Sequence, residues 1–282
     1  MRILVTGHRG HVGGPVTERL ASLGHDVTGF DRADGDDLLD PGQVRRAAAG
    51  CAAVVHLGAV AHDTAGTPEQ IMAVNVLGTW HALLAAEAAG AERFIHFSSA
   101  QAFGIADGER FPDYFPVDDA HPRRAMRPYG LSKCLAEDLC SGQTARTGIA
   151  TLSLRPVWVL TPGMYEQIDA QWRAEPRSEG EPFWEWGAFV DVRDVATAVE
   201  LALTVPWSGH HRALLCAADI AGTRPSLELA ARLAPGVPVT DPARYQADPW
   251  RALVDCSVAA AILGWRPRYR WADRGRLVTA DR

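Results

Sequence analysis

The sequence predicts an α/β chain: a doubly wound parallel sheet with a small mixed lobe toward the C-terminus. Three observations carry this. Short apolar runs alternate with helix-length stretches through the first half, a glycine-rich turn follows the first run directly, and the alternation fades in a second half rich in proline and tryptophan.

Residues 2–6 (RILVT) form a short apolar run closed by Gly7, the signature of a buried strand. Helical spacing of Val12, Val16, Leu20 and Leu23 follows, stopped by Gly24. A second strand is expected over 25–30, ending at Asp31, then a short helix over 41–49 and a third strand over 52–57. A long helix over 68–90 opens on Pro68 and closes on Gly90, and 93–98 (RFIHFS) is a fourth strand. After a proline-rich loop come a helix over 129–147 and a fifth strand over 149–154. Strands separated by helices of this length imply parallel pairing through crossover connections. Residues 161–187 read as a polar, tryptophan-rich segment, 191–203 as a helix capped by Asp191, and 217–282 as two short helices among proline-rich loops.

The 282 residues carry 28 basic and 34 acidic side chains, a net charge of −6. That balance argues against a nucleic-acid binder, which would show a concentrated basic excess. Cys51, Cys134, Cys140, Cys216 and Cys256 form no C-x-x-C pair, which points to reduced thiols. No apolar run suggests a membrane span, and the opening MRILVTG has no signal-peptide pattern, so a cytoplasmic chain is expected. The scattered histidines, His210-His211 included, lack metal-ligand spacing, so no metal is expected.

Thr6-Gly7-His8-Arg9-Gly10-His11-Val12-Gly13 is a T-G-x-x-G-x-x-G spacing between a strand and a helix. Gly7 permits the tight turn, Gly10 lets a diphosphate approach the backbone, and Gly13 lets helix and strand pack closely. The amides near His11 and Val12 then face the diphosphate of a dinucleotide at the helix N-terminus, a Rossmann arrangement. Asp31, at the end of the second strand, is placed to accept both ribose hydroxyls of NAD and to repel the 2′-phosphate of NADP. Arg32 beside it could accept that phosphate; the carboxylate's position favours NAD over NADP. Asp37-Leu38-Leu39-Asp40 falls where such folds meet the adenine ring, adding Asp37 and Leu38 to the expected cofactor contacts. Residues 1–160 and 188–216 then form a dinucleotide-binding domain, and 161–187 with 217–282 a substrate lobe.

Of the 28 basic residues 27 are arginine; the single lysine is Lys133, four residues after Tyr129. Side chains at i and i+4 share a helix face. A phenol of pKa about 10 is a poor base at neutral pH, and a neighbouring ammonium favours its ionised form. A slim lysine does this while still reaching a ribose, where a broad guanidinium would fit poorly. Ser98 and Ser99, at the carboxyl end of the fourth strand, offer a hydroxyl for the substrate oxygen.

Taken together these residues resemble the extended short-chain dehydrogenase/reductase family, in particular its NAD-dependent epimerase/dehydratase group. The likeness continues through His56-Leu57-Gly58-Ala59, Asn75-Val76-Leu77-Gly78-Thr79, the run 98–104 (SSAQAFG), Leu154-Arg155-Pro156, the run 189–195 (FVDVRDV) and Leu263-Gly264-Trp265-Arg266-Pro267. The resemblance implies that Tyr129 is the acid/base, Lys133 its charge partner and ribose ligand, and Ser99, four residues before Phe103, the substrate-orienting hydroxyl. Leu57, Gly58, Asn75, Ser98 and Pro156 join the expected cofactor contacts, and a homodimer through the helices 68–90 and 129–147 is implied.

Two departures narrow the chemistry. Family dehydratases carry an acidic pair after the catalytic hydroxyl, whereas Ala100 and Gln101 stand here, which argues against sugar dehydration. The short 161–187 segment, and Val157 in place of an asparagine, put a UDP-sugar in doubt; the wording 129–134 (YGLSKC) is similar to small uronate-type dehydrogenases, although those carry Asn-His at 100–101. The expected function is therefore NAD-dependent hydride transfer, as oxidoreductase or epimerase, at a secondary alcohol or ketone carbon of a sugar or nucleotide-sugar-like small molecule. A uronate-type sugar-acid dehydrogenase, a reductase of a hydrophobic steroid or polyketide ketone, and a non-catalytic NAD-binding sensor stay open as alternatives. Trp172, Trp184 and Trp186 with Arg173 and Arg177 either form a lid over a sugar or pack the lobe, and Arg155 holds either a substrate carboxylate or a structural one. Arg123-Arg124 and Arg127 read as a solvated loop.

Overall fold

The computed structural model describes residues 1–105, 110–175 and 186–276. Strand β1 (Arg2–Thr6) pairs in parallel with β2 (Asp26–Phe30) on one side and β3 (Ala53–His56) on the other. Beyond β3 the sheet continues through β4 (Arg93–Phe97), β5 (Ala150–Pro156) and β8 (His210–Leu215), giving the order β2-β1-β3-β4-β5-β8 with every pair parallel. Winding reverses between β1 and β3, and the crevice at their carboxyl ends is where ligands of open parallel sheets bind.

Both faces of the sheet are covered, because alternate side chains of a strand point opposite ways. Ile3 and Val5 join one apolar cluster with Val16 and Leu20 of α1 (Gly13–Ser22) and Val195 and Val199 of α7 (Val192–Thr204). Leu4 points into a second cluster with Val44 and Ala48 of α2 (Pro41–Ala48), Leu83 and Ala86 of α4 (Gly78–Ala88) and Cys140 of α5 (Pro128–Thr147).

The long helix expected at 68–90 is one helical stretch in three parts: α3 (Pro68–Met72), a π-helical turn at Ala73–Leu77, and α4. Thr67 and Gln70 close a capping box at its start. Pro68–Ala88 is long and apolar enough to cross a membrane by length and composition, which corrects the reading that no such run exists. Here its inner face packs on α2 and α5.

Sequence reasoning missed several elements. The edge strand β8 opens with polar residues and shows weak alternation. β6 (Trp158–Leu160) and β7 (Phe189–Asp191) are three-residue partners in a separate small sheet. A 13-residue helix, α6 (Pro162–Ala174), occupies the start of the segment read as irregular. Among the described residues the C-terminal part holds three short helices rather than two, α8 (Ser226–Leu233), α9 (Ala243–Ala247) and α10 (Ser257–Leu263). Asp191 caps α7 through the Arg193 amide as expected, and buried Asp194 receives the amides of Arg268 and Tyr269, tying the C-terminal segment to that helix.

Candidate active site

The crevice between β1 and β3 is shaped by missing side chains. Gly7 has φ +71°, and a Cβ there would stand 2.7 Å from the Gly58 nitrogen. A Cβ on Gly13 would overlap the Gly7 carbonyl. Helix α1 begins with no side-chain cap, so its first amides are left for an anion at the place where Gly10, His11 and Val12 turn.

The floor of the crevice is tied by a buried hydrogen-bond chain that sequence reasoning did not find. The Gly58 amide donates to Thr6 Oγ1 at 3.1 Å, and Thr6 Oγ1 lies 2.8 Å from His56 Nδ1. His56 Nε2 lies 3.0 Å from Thr79 Oγ1, which itself donates to the Asn75 carbonyl at 2.6 Å. Because Thr79 spends its proton on Asn75, His56 must donate from Nε2 and accept at Nδ1, a neutral tautomer. Burial, with Lys133 adding, drives the His56 pKa down to about 3. Asn75 sits in the π-helical turn, with Oδ1 accepting the Val60 amide and Nδ2 donating to the Val60 carbonyl and to Ser132 Oγ. Expected as a cofactor contact, Asn75 instead joins the β3 loop to α5, since its amide is committed within the chain.

At the end of β2, Asp31 accepts the Arg9 and Ala33 amides, so its carboxylate is anchored to the glycine loop. Arg32 is exposed, whereas Arg9 forks onto Asp34 with Nε–Oδ2 at 2.8 Å. Asp37 accepts the Leu39 amide. Leu38 lies against Gly58 and Gly78, where a Cβ would approach it to 2.8 and 3.1 Å. Leu57 packs partly buried beside the crevice, and Pro156 ends β5 against Leu215.

Across the sheet edge, the N-terminus of α5 brings Tyr129 and Lys133 against the end of β4. Ser99 is half-exposed, accepts the Gln101 amide at 3.1 Å, and its hydroxyl stands near enough to that of Tyr129 to pull the phenol's pKa down. Ser98, expected among the cofactor contacts, points the other way: it is buried and donates to Glu137 Oε1 at 2.6 Å. Adjacent residues of an extended chain face opposite sides, so only one of the two serines can reach the cleft. Asp63, unnoticed in the sequence, accepts the Tyr129 amide at 2.8 Å from the loop after β3.

Lys133 is 4% exposed and donates from Nζ to the Phe97 carbonyl at 2.8 Å; the ammonium lies 5.5 Å from the centroid of the Tyr129 ring. Burial pulls its pKa down to about 8, with Glu137 pushing the other way. Burial pushes the Tyr129 phenol up to about 12, Asp63 adding to the rise and the Ser99 hydrogen bond opposing it. Among the groups that move the phenol, burial of the ring hydroxyl is the largest.

The substrate-binding expectations fare differently. Arg155 is 1% exposed and grips Glu137 in a two-pronged pair, Nε–Oε1 2.7 Å and Nη2–Oε2 2.8 Å, while Nη1 reaches Asp119. It holds structural carboxylates and has no donor turned to the cleft. Trp172 is buried in a satellite core with Leu160, Tyr165, Ile168, Phe189 and Trp271, and Trp186 stacks edge-on against Phe115. Neither ring is a lid: Trp172 fills the space between α6 and the C-terminal segment, and Trp186 packs into the main core. Arg173 is a surface residue paired with Asp169 one turn back, and Trp184 and Arg177 lie outside the described residues. Arg123 is no solvated loop residue, since it reaches Glu137 and Asp138, and Arg124 pairs with Asp113. Among the described residues no cluster of metal-ligand type occurs.

Residues 3–217 match the NAD dependent epimerase/dehydratase family. The chain is 34% identical over 168 residues to a uronate dehydrogenase of Pseudomonas putida, covering 55% of this chain and 59% of that one. It is 34% identical over 175 residues to an L-arabinose 1-dehydrogenase (NAD(P)+) of Haloferax volcanii, covering 57% and 68%. These matches span roughly three-fifths of the relatives' own length. A short-chain dehydrogenase/reductase superfamily protein of Agrobacterium tumefaciens, solved with bound NAD, superposes with a TM-score of 0.72 at 24% identity over 97% of this chain and 94% of that one. With the glycine crevice, the Ser99–Tyr129–Lys133 grouping and the family match over most of its length in agreement, the chain belongs to the NAD-dependent epimerase/dehydratase family.

Proposed function

We propose that the chain binds NAD along the β1/β3 crevice and oxidises, or epimerises through oxidation, a secondary alcohol carbon of a sugar-like substrate. The single observation that carries this is the meeting of Ser99, Tyr129 and Lys133 at the sheet edge beside that crevice. The residues present fit the dinucleotide: the tight Gly7 turn at φ +71° closed against Gly58, the uncapped start of α1, and the Asp31 carboxylate held facing the loop. NAD, when bound, supplies the acceptor for the hydride leaving the alcohol carbon.

The chain's own residues handle the proton. Ser99 orients the substrate oxygen and Tyr129, in its phenolate form, takes the substrate's proton, a general-base step worth about 100- to 10,000-fold in rate. Lys133 contributes a fixed positive charge and, when the cofactor arrives, donors for its ribose. Asp31 favours NAD over NADP, and the Arg9–Asp34 pair keeps the Arg9 guanidinium from offering itself to a 2′-phosphate. Tyr129→Phe should lower turnover at least about 100-fold while NAD still binds, by absorbance at 340 nm and fluorescence titration. Near-normal turnover would end the assignment.

Oxidation of a free sugar acid is the second reading, favoured by the likeness to uronate dehydrogenase. Ala100 and Gln101 lie in the 3-10 turn that follows Ser99, so whatever reads the substrate there differs from the Asn-His pair of uronate-type enzymes. Galacturonate, glucuronate, free arabinose and UDP-glucose offered separately with NAD discriminate: NADH accumulates with an oxidised sugar and not with an epimerised one. A second copy of the chain is the expected partner, since Leu77 and Leu135 are exposed on the outer faces of the 68–88 stretch and α5. Five free thiols suit a reducing, cytoplasmic setting, and the reading needs no nucleic acid and no membrane.

A further inference from the structure

The row of Tyr129 and Lys133 does not stop at two residues. Glu137 follows at the next turn of α5, so phenol, ammonium and carboxylate stand at i, i+4 and i+8 on one helix face. Glu137 is 0% exposed, which is costly for a carboxylate unless it is paired. Three arginines meet it from different elements: Arg155 of β5, Arg212 of β8 with Nε–Oε2 at 3.0 Å, and Arg123 of the preceding loop at 3.3 Å. Ser98 fixes the remaining side. The mechanism above uses none of this.

We propose that Glu137 is a positioning residue of the active site, the buried counter-charge that keeps the Lys133 ammonium charged beside Tyr129. The proposal rests on the reading of Tyr129 and Lys133 as proton-handling residues. A fully buried lysine is driven toward its neutral form, and a neutral amine one turn from the phenol has no field to offer. Other groups around Lys133 do not supply the balance. His56 of β3 and His96 of β4 are buried and neutral, and their response to Lys133 is repulsive. Burial pushes the Cys140 thiol of α5 up to about 12, so it carries no charge. Arg155, Arg212 and Arg123 are positive and oppose the ammonium; Asp119 and Asp138 face those arginines from the far side. Asp63 lies at the Tyr129 end. Glu137 itself feels burial pushing its pKa up, but Arg155, Ser98 and Arg212 more than offset it and hold the group below the usual carboxylate range. It therefore stays anionic, and the arginines serve to keep it so.

This chain offers an unusually clean test, because Lys133 is its only lysine. Protein labelled with nitrogen-15 lysine gives one Nζ environment, whose titration is followed by NMR in the folded enzyme. In Glu137→Gln the midpoint should fall by at least about one pH unit, and the alkaline limb of kcat should move with it. Glu137→Asp, which restores the charge, should recover most of both; KM for NAD should change little in comparison with kcat. If Glu137→Gln does not fold, the pair Glu137→Gln with Arg212→Gln removes one charge of each sign and carries the same comparison. An unmoved Lys133 midpoint in a folded Gln variant would overturn the proposal, leaving Glu137 a structural anchor for Arg155. Failure of Tyr129→Phe to reduce turnover would instead remove the catalytic reading and leave the charge coupling standing.

Discussion

Two corners of the same sheet edge solve opposite problems. The β1/β3 crevice is built by taking side chains away: Gly7 and Gly13 let backbone approach backbone, Gly58 makes room for Leu38, and the bonding groups offered are amides. The β4–α5–β5 corner is built by packing charges in, with Glu137, Arg155 and Lys133 all at 4% exposure or less. A cradle made of backbone binds a diphosphate without specifying the sugar beyond. A corner made of buried charge sets the protonation of two groups and depends on every partner being present. The first tolerates change in its neighbours and the second does not.

The comparison breaks most easily at Arg155. Arg155→Met leaves the buried Glu137 carboxylate short of its two-pronged partner and should cost about 3–5 kcal/mol in urea unfolding. Were Arg155 a substrate ligand instead, stability would hold and KM for a sugar acid would rise. Gly7→Ala tests the other corner. A Cβ 2.7 Å from the Gly58 nitrogen at φ +71° should cost about 1–3 kcal/mol and weaken NAD binding at least about tenfold, while the Lys133 midpoint stays where it is.

His56 sharpens the link between the corners. Its pKa is about 3 in the fold and 6.5 in an ordinary setting. Below 6.5 the unfolded chain takes up the proton and the fold does not, so this contribution is fully present above that pH and is lost as pH falls toward 3. Stability of His56→Gln, measured by denaturant at successive pH values, should therefore decline less steeply between pH 6.5 and 4 than that of the parent chain, by up to about 1.4 kcal/mol per pH unit.

The sequence showed the backbone corner well and the charged corner only in part. T-G-x-x-G-x-x-G between strand and helix is a local pattern, because each glycine answers a constraint set a few residues away. Tyr129 and Lys133 were legible for the same reason, one helical turn apart, and Glu137 continues that spacing, a signal that was there to be read. Arg155 stayed open between a substrate and a structural carboxylate, and Ser98 was misread, because their partners lie 18 and 39 residues away in sequence and neither charge nor hydroxyl announces which way it faces. The packing of Trp172 depended on Trp271, about a hundred positions later.

Local geometry, then, was decided by the order of residues: strand, glycine turn, helix, and a phenol one turn from the only ammonium. The tertiary structure alone decided which of two adjacent serines faces the cleft, that Asn75 and His56 brace the crevice, and that burial pushes the Tyr129 phenol up and pulls the Lys133 ammonium down. Backbone conformation answers to near neighbours, while desolvation and charge pairing are sums over whatever the folded chain brings within a few ångströms.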